Sequence, residues 1–524
     1  MRPRVFVLGL GGTSISLLKP WAESGWLPNL DYLFRRGISG PLVSPVPPRP
    51  TPEWAAILTG RNPGHTGVFD QVRKGPVSYF PDRTALSSLA TEGVWSLMNR
   101  FHRRTVLVNV PVSGESPEMT RTIGSHRVSM NDRNGFSIFE KALTRTGLIS
   151  QRALDGHSAG TEVVRSARTI PFLEKMTQDT ILQGRILGSI METGAVDFVG
   201  VNFEGPDRIL PWFWEEAASL GINGPKTLVE EALLIFFKVL DDAVGKLFWK
   251  LGPEDLVIVT SPHSFGPIRK FLSLNHFLAS RGLLSFRSGK RGESHFSRLA
   301  SPLFRAMGIR REPVKRVLRG MGIDSWLERF APPFSSEIGL FDWGRTRAFS
   351  IARNGIHLNI RGLEPSGVVN PGKEARVLGD EIIQALQGLT DPDTGAAVIH
   401  DVCWRDHLYD GPRLGDIPHL VVNGWDPSYA LADFDHVRDR SGIFSGNADR
   451  SGSHRKEGFF LMAGPGLPKG VCSETPLSIF DITPTILKNF NEELPVDLDG
   501  RAFPEEYGLS GAFRGESVQW AGPG

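Results

Sequence analysis

Four short apolar runs constrain the fold of this chain more than any other feature of its sequence. They cover residues 5–8, 105–110, 198–202 and 256–260, are rich in valine, isoleucine and leucine, and are separated by longer segments with helical periodicity. Nearly continuous apolar runs are typical of parallel strands buried on both faces, and helices usually connect such strands. The pattern therefore predicts an α/β protein with a mostly parallel central sheet.

Two of these runs lead directly into segments that suit a binding site. Gly9, Gly11 and Gly12 follow the first run, and His263 follows the fourth. Ligands of open α/β sheets bind outside the carboxyl ends of the strands. We therefore expect the functional site at that edge of the sheet.

Charge and cysteine content exclude several classes of function. The net charge is +2, so charge gives no reason to expect a nucleic acid as partner. Cys403 and Cys472 are too few for a disulfide framework and lack the spacing of a zinc motif, which favours a reducing compartment. No apolar run approaches the ~20 residues of a transmembrane helix, and the N-terminal run is shorter than the core of a signal peptide. We predict a cytoplasmic protein without a transmembrane segment.

Residues 286–335 differ from the rest of the chain, because arginine and lysine far outnumber acidic residues there and apolar residues recur at helical spacing. This composition predicts a basic helical insertion or cap, and it favours a solvated helical face over an anion-binding or membrane-surface patch. The α/β core then has two parts, residues 1–285 and 336–506. Residues 507–524, rich in glycine and serine, are predicted to be a flexible tail.

An ordered series of short motifs extends over most of the chain. It includes Leu-Pro-Asn-Leu at 27–30, Trp-Ala-Ala-Ile-Leu-Thr-Gly-Arg-Asn-Pro-Gly at 54–64, Gly-Val-Phe-Asp at 67–70, Val-Asn-Val-Pro at 108–111, Gly-Ser-His-Arg at 452–455 and Asp-Ile-Thr-Pro-Thr at 481–485. With this series the chain resembles the alkaline phosphatase superfamily, specifically its type I phosphodiesterase/nucleotide pyrophosphatase branch. The resemblance implies an alkaline-phosphatase-like three-layer α/β sandwich with a mostly parallel central sheet and a helical insertion.

The resemblance also implies a phosphoryl-transfer site with two metal ions and a Thr or Ser nucleophile. Asp207, His263 and His454 match three of its seven key positions. The other four, which normally carry an Asp ligand, the nucleophile, a His ligand and an Asp ligand, are occupied by Gly11, Pro50, Pro211 and Pro262. Neither glycine nor proline has a side-chain atom that can bind a metal or attack phosphorus, and proline also lacks a backbone N–H. These four positions are therefore predicted to be degenerate.

This loss argues against a catalytic metal pair. Two dications about 3.5–4 Å apart need several carboxylates around them, and Asp207 is the one anionic ligand left at the matched positions. The resemblance assigns Asp207 and His454 to one metal and leaves His263 alone at the other. We therefore expect no metal cofactor or, at most, a single weakly bound divalent ion, zinc or manganese.

Each candidate residue also has a structural interpretation. Thr51, one residue after the matched nucleophile position, is a candidate displaced nucleophile, but Thr followed by Pro52 favours a helix N-cap. Asp207 suits an ion pair with Arg208 or a cap as well as it suits ion binding. His263 also suits a hydrogen-bonded loop histidine.

The remaining candidates concern anions and substitute ligands. His454 with Arg455 suits an anion site without metal. Glu204, Asp70 and Asp449 lie in matched or adjacent loops and are candidate substitute carboxylates.

Two functional hypotheses follow. The first is a pseudoenzyme, a phosphodiesterase-like fold without its metals and nucleophile, which has a binding or regulatory role and a phosphate-containing or other anionic ligand. The alternative is an active phosphodiesterase or phosphatase, a phosphoric-ester hydrolase, that uses one metal or relocated ligands.

Overall fold

The computed structural model describes most of the chain. The described residues are 3–75, 78–79, 81–83, 89–111, 120–123, 126–130, 137, 139, 141, 170–194, 196–248, 251–287, 338–432, 442–446 and 450–503. The predicted tail, residues 507–524, and all but the first two residues of the predicted insertion, residues 286–335, lie outside them. The predicted division into domains stays a prediction.

The helices and strands alternate along the chain as the apolar pattern indicated. The helices are α1 (Ile15–Glu23), α2 (Pro28–Arg36), α3 (Pro50–Thr59), α4 (Pro63–Thr66), α5 (Val94–Arg100), α6 (Ile170–Glu192), α7 (Gly205–Ser219), α8 (Leu228–Phe248), α9 (Leu274–Ser280), α10 (Lys373–Gln387) and α11 (Ile482–Asn489). The strands of the first half are β1 (Val5–Gly9), β2 (Ile38–Val43), β3 (Val72–Lys74), β4 (Pro81–Arg83), β5 (Thr105–Val108), β6 (Thr120–Ile123), β7 (His126–Met130), β8 (Phe198–Asn202), β9 (Leu256–Ser261), β10 (Ser264–Pro267) and β11 (Lys270–Leu272). Those of the second half are β12 (Ala348–Phe349), β13 (Gly355–Leu358), β14 (Ile399–Trp404), β15 (Leu420–Trp425), β16 (Tyr429–Leu431), β17 (Phe444–Gly446), β18 (Gly452–Arg455), β19 (Glu457–Ala463), β20 (Val471–Cys472) and β21 (Leu477–Ser478).

The described residues form one large sheet with the strand order β20-β2-β19-β9-β1-β8-β5-β7-β6, and β21 pairs with β2. The four predicted apolar runs are its adjacent central strands β9, β1, β8 and β5, and all three of their pairings are parallel. β5 ends two residues earlier than predicted, because Asn109 has a left-handed backbone with a φ of 56°. Strands β19 and β7 pair antiparallel with their neighbours, so the sheet is mostly, not wholly, parallel.

Helices cover both faces of this sheet. Phe6 and Leu8 of β1 belong to a core cluster built with α1, α2, α6, α7 and α8. Val5 and Val7 belong to a second cluster built with α3, α5 and α11. Since neighbouring residues of a strand point to opposite faces, these two clusters lie on opposite sides of the sheet. The expected three-layer α/β arrangement is therefore confirmed.

A separate apolar cluster lies in the second half of the chain. It packs α9 and α10 against a four-stranded sheet with the order β12-β13-β15-β14. Within the described part of the chain, no helix has both the length and the apolar character needed to cross a membrane. Cys403 and Cys472 are both free thiols.

Candidate active-site cleft

A cleft of about 260 Å³ lies beside the carboxyl ends of the central strands. Gly11 lies two residues after the end of β1, Asp207 lies in the first turn of the helix after β8, and His263 lies two residues after the end of β9. Three parallel strands therefore bring these positions to one edge of the sheet, where the site was expected. The cleft is lined by Gly9, Gly11, Pro50, Thr51, Glu53, Trp54, Gln71, Pro111, Asn202, Glu204, Asp207, Arg208, Pro262 and His263.

Asp207 and His263 line this cleft, and His454 lies next to them. Asp207 Oδ1 lies 2.8 Å from His263 Nε2 and 4.0 Å from His454 Nδ1. The donor atoms of all three residues lie within 4.8 Å of one another. His454 comes from β18, which pairs antiparallel with β10 and places His454 opposite Phe265. The imidazole rings of His263 and His454 have their centroids 4.6 Å apart.

A fourth residue, Glu53, completes the cluster and was missed in the sequence. Its Oε2 lies 2.7 Å from His263 Nδ1, and both side chains are only 1% exposed. Its Oε1 is buried and has no hydrogen-bond partner among the described residues. Glu53 lies in the first turn of α3, directly before Trp54 of the longest motif. In the sequence, the feature that could have pointed to Glu53 is a carboxylate two residues after the candidate nucleophile Thr51.

The electrostatics of the cluster follow from this arrangement. Burial alone would lower the pKa of His263, but the charge of Glu53 and the hydrogen bonds with Asp207 and Glu53 outweigh it and raise this pKa to about 10. Burial raises the pKa of Glu53, and the nearby His263 opposes that shift. An imidazole whose two nitrogens both donate to carboxylates carries its positive charge at neutral pH. It then has no lone pair to offer a metal ion.

Three of the four positions predicted to be degenerate, Gly11, Pro50 and Pro262, line the cleft. A Cβ atom on Gly11 would lie 3.3 Å from His263 Cε1 and 3.8 Å from His263 Nε2. A side chain at position 11 would thus reach the ligand atom of His263, and glycine leaves that place without a donor. Pro50 and Pro262 also line the cleft.

Pro211 changes the helix that carries Asp207. Proline inside a helix cannot donate to the carbonyl four residues earlier, which here is that of Asp207. Helix α7 kinks two residues later at Phe213, where φ is −124° and ψ is 27°. Ser451, just before β18, stabilises the kink, because its hydroxyl donates to the Trp212 carbonyl at 3.0 Å and accepts from the Glu215 N–H at 3.3 Å.

The kink also brings β18 onto α7. A Cβ atom on Gly452 would lie 2.4 Å from the Leu210 carbonyl oxygen, so glycine permits this close approach. His454 follows two residues later. The contact therefore places His454 beside Asp207.

Several structural interpretations of single residues were wrong. Helix α3 begins at Pro50 with Arg49 as its N-cap, so Thr51 is in the first turn and is not the cap. The fixed φ of Pro50 suits the first helical position, and this moves the helix start upstream. Asp207 pairs with His263, while Arg208 lies 3.9 Å from Glu204, the N-cap of α7.

Arg455 does not fit the suggested anion site, and the candidate substitute carboxylates have different outcomes. The Arg455 guanidinium donates to the carbonyls of Pro267 and Pro427, so it is already engaged. Glu204 lines the cleft, whereas Asp70 accepts from the Arg353 N–H at 2.8 Å and lies 3.6 Å from Arg49. Asp449 lies outside the described residues.

Comparison with known proteins identifies the family. The model of the family described as type I phosphodiesterase/nucleotide pyrophosphatase matches residues 5–429. This chain belongs to that family. A comparison with curated protein sequences found no significant match.

Several solved structures resemble this family member. One is phosphonoacetate hydrolase from Sinorhizobium meliloti 1021 in complex with phosphonoformate, with a TM-score of 0.53, 12% identity and coverage of 93% of this chain and 96% of that one. The same hydrolase in complex with phosphonoacetate has a TM-score of 0.51, 12% identity and the same coverage. Murine ectonucleotide pyrophosphatase/phosphodiesterase 5 has a TM-score of 0.47 and 13% identity, covering 94% of this chain and 96% of that chain.

The residues present do not fit the two metal ions that the type I phosphodiesterase family implies. Gly11 and Pro262, which lie next to His263, have no side-chain atom that could bind a metal ion. Both ring nitrogens of His263 lie within hydrogen-bond distance of carboxylates. A catalytic pair of ions would need several anionic ligands, and Asp207 is the one carboxylate among the matched positions.

Proposed function

We propose that this protein is a pseudoenzyme of the type I phosphodiesterase/nucleotide pyrophosphatase family, with a binding or regulatory role at the cleft. One observation carries the proposal: His263 lies between Glu53 and Asp207, with both ring nitrogens paired to carboxylates. The family pattern would have this imidazole bind a metal ion. Here an internal ion cluster takes the place of that coordination.

The charges that line the cleft support this proposal. Glu53, Glu204 and Asp207 contribute three carboxylates, while Arg208 and a protonated His263 contribute two positive charges. Phosphoryl transfer needs surplus positive charge or preorganised donors where negative charge develops. The side chains of this lining do not themselves supply that surplus, because three carboxylates face two positive groups.

The candidate nucleophile supports it as well. Thr51 lines the cleft and is 8% exposed. A threonine hydroxyl attacks phosphorus only when a base or a metal activates it. His263 lines the same cleft, but its two nitrogens are already paired with Glu53 and Asp207. In that state His263 has no free nitrogen with which to activate Thr51, which remains a candidate displaced nucleophile.

A small anion remains the proposed class of ligand. Thr51 and Asn202 are more than nine-tenths buried, line the cleft, and make no side-chain hydrogen bond with another described residue. Arg208 adds a cationic donor beside them. The Sinorhizobium hydrolase with a similar fold is in complex with phosphonates. We propose that a phosphate- or phosphonate-containing molecule binds this lining weakly, since its carboxylates outnumber its cationic side chains.

A second function is favoured by one observation. The donor atoms of Asp207, His263 and His454 lie within 4.8 Å of one another, which is close enough to surround a single zinc or manganese ion. Binding it would break the hydrogen bond between Asp207 and His263. A hydrolase with one metal is therefore the alternative.

One set of assays separates the two functions. Turnover of an aryl phosphodiester and of an aryl phosphomonoester is measured with added zinc, manganese or magnesium, for the wild type and for Asp207→Ala. The pseudoenzyme predicts no turnover of the wild type above that of Asp207→Ala. Saturable, metal-dependent turnover that Asp207→Ala abolishes would instead establish the single-metal hydrolase.

A further inference from the structure

A second cluster of potential metal ligands lies away from the cleft lining. His65 from α4, Asp410 from the loop after β14 and Asp499 from the segment after α11 have their ligand atoms within 4.8 Å of one another. The three segments are far apart in sequence. None of these residues lines the cleft.

Asn62 organises the two carboxylates. Its side-chain Nδ2 donates to Asp410 Oδ1 at 2.7 Å and to Asp499 Oδ2 at 3.1 Å, and its backbone N–H donates to Asp499 Oδ2 at 2.6 Å. Asn62 is also the N-cap of α4, since its Oδ1 accepts from the Gly64 N–H at 2.8 Å. It is only 7% exposed, so this anchor is held in place by the fold.

Two glycines allow the approach of Asp410 to His65. A Cβ atom on Gly64 would lie 2.2 Å from the Asp410 carbonyl oxygen. Gly411 has a φ of +123°, and a Cβ atom on it would lie 2.9 Å from His65 Cγ. Any other residue at either position would push the two segments apart. The close approach of the imidazole and the carboxylate therefore depends on the backbone.

The cluster lacks a matching positive side chain. Among the described residues, no lysine or arginine forms an ion pair with Asp410 or Asp499, while Arg61 pairs with the neighbouring Asp497. His65 Nε2 lies 3.8 Å from Asp410 Oδ1, which is too long for a hydrogen bond. Two carboxylates thus converge with one imidazole whose Nε2 is not hydrogen-bonded to either of them.

We infer that His65, Asp410 and Asp499 bind one divalent cation, zinc or manganese. One imidazole and two carboxylates form a donor set that both ions accept, and small rotations bring ligand atoms this close to bonding distance. Asp410 and Asp499 are exposed, so water completes the coordination. The ion would link α4 to two distant segments, and this site does not depend on the function proposed for the cleft.

The test is a calorimetric titration of the full chain with zinc or manganese in the Asp207→Asn background, which replaces the carboxylate shared by His263 and His454 with a neutral, weakly ligating amide. One equivalent is expected to bind. Adding His65→Gln or Asp499→Asn is expected to weaken the affinity for this metal ion at least about tenfold, the range seen when a metal site loses a supporting group. Asp416→Asn, a nearby exposed aspartate paired with Arg413, is the matched control and is expected to change nothing.

Thermal unfolding supplies a second readout, because a ligand that binds only the folded state raises Tm. The metal is expected to raise Tm in Asp207→Asn and in the Asp416→Asn control, but not after His65→Gln. Tm without metal shows whether each variant is folded. Equal metal binding with and without His65→Gln, or no saturable binding in Asp207→Asn, would overturn the inference. If the wild type binds one ion but Asp207→Asn shows no saturable binding, the ion lies in the cleft.

Discussion

His263 Nδ1 lies 2.7 Å from Glu53 Oε2, and neither side chain is more than 1% exposed. This pair joins α3 to the residues that follow β9, and both side chains line the cleft. The other ring nitrogen, His263 Nε2, lies 2.8 Å from Asp207 Oδ1. The cluster explains how the fold retains a well-packed centre at a place where the family pattern implies metal ions.

Removing the charge of Glu53 is expected to destabilise the protein strongly. Glu53→Gln keeps the size of the side chain but leaves the buried His263 with a weaker partner, and breaking a buried pair typically costs about 3–5 kcal/mol. The free energy of unfolding in urea measures the change. Glu381→Gln, at an exposed glutamate of α10, is the matched control and is expected to stay within about 0.5 kcal/mol of the wild type. Equal effects of the two substitutions would contradict a stabilising pair.

The same cluster sets a direction for the pH dependence of stability. Burial alone would lower the pKa of His263 from 6.5, but Glu53 and Asp207 outweigh this effect and raise the pKa to about 10. A raised pKa stabilises the folded state fully below pH 6.5, and this contribution is lost as the pH rises towards 10. The stability advantage of the wild type over His263→Gln is therefore expected to shrink between these values. An advantage that grows with pH over this window would show that the sign is wrong.

Restoring carboxylates at degenerate positions is expected to create metal affinity. A side chain on Gly11 points to His263, and Pro262 lines the same cleft. Gly11→Asp with Pro262→Asp, made together with His65→Gln to remove the other candidate site, is expected to bind zinc at least about a hundredfold more tightly than His65→Gln alone. Gly415→Asp, where a Cβ atom meets open space, is the control. No gain over that control would mean that positions 11 and 262 do not face a metal site.

Ser451 is expected to support the kinked helix that carries Asp207. Ser451→Ala removes two hydrogen bonds to backbone groups of α7 and should cost about 1–3 kcal/mol of stability. Amide hydrogen exchange should also quicken around Trp212 and Glu215. Ser280→Ala, which removes one hydroxyl bond to a carbonyl of α9, serves for comparison. Unchanged exchange in α7 would show that the kink does not need Ser451.

The central strands could be predicted from sequence because burial on both faces leaves a nearly continuous apolar run. The family followed from motif order, and the rule that parallel strands end at one edge accounts for the meeting of Asp207 and His263. His454 reaches them from β18, which pairs antiparallel with β10 outside the large sheet. Glu53 could not be placed, since its role depends on a contact between segments that only the tertiary fold brings together. The start of α3 was misplaced because Thr51-Pro52 and Arg49-Pro50 both offer a proline suited to the first helical turn. The cytoplasmic location stays a prediction.

The most direct test of the proposed pseudoenzyme is the protonation state of His263 in the presence of zinc. Nitrogen NMR of the protein with ¹⁵N-labelled histidine side chains reports whether each ring nitrogen carries a proton, and the signal lost in His263→Gln assigns the residue. The ion cluster predicts that both nitrogens of His263 stay protonated at neutral pH when zinc is added in excess. A His263 that loses one proton and shows a zinc-bound nitrogen would contradict the account and establish a metal centre in the cleft.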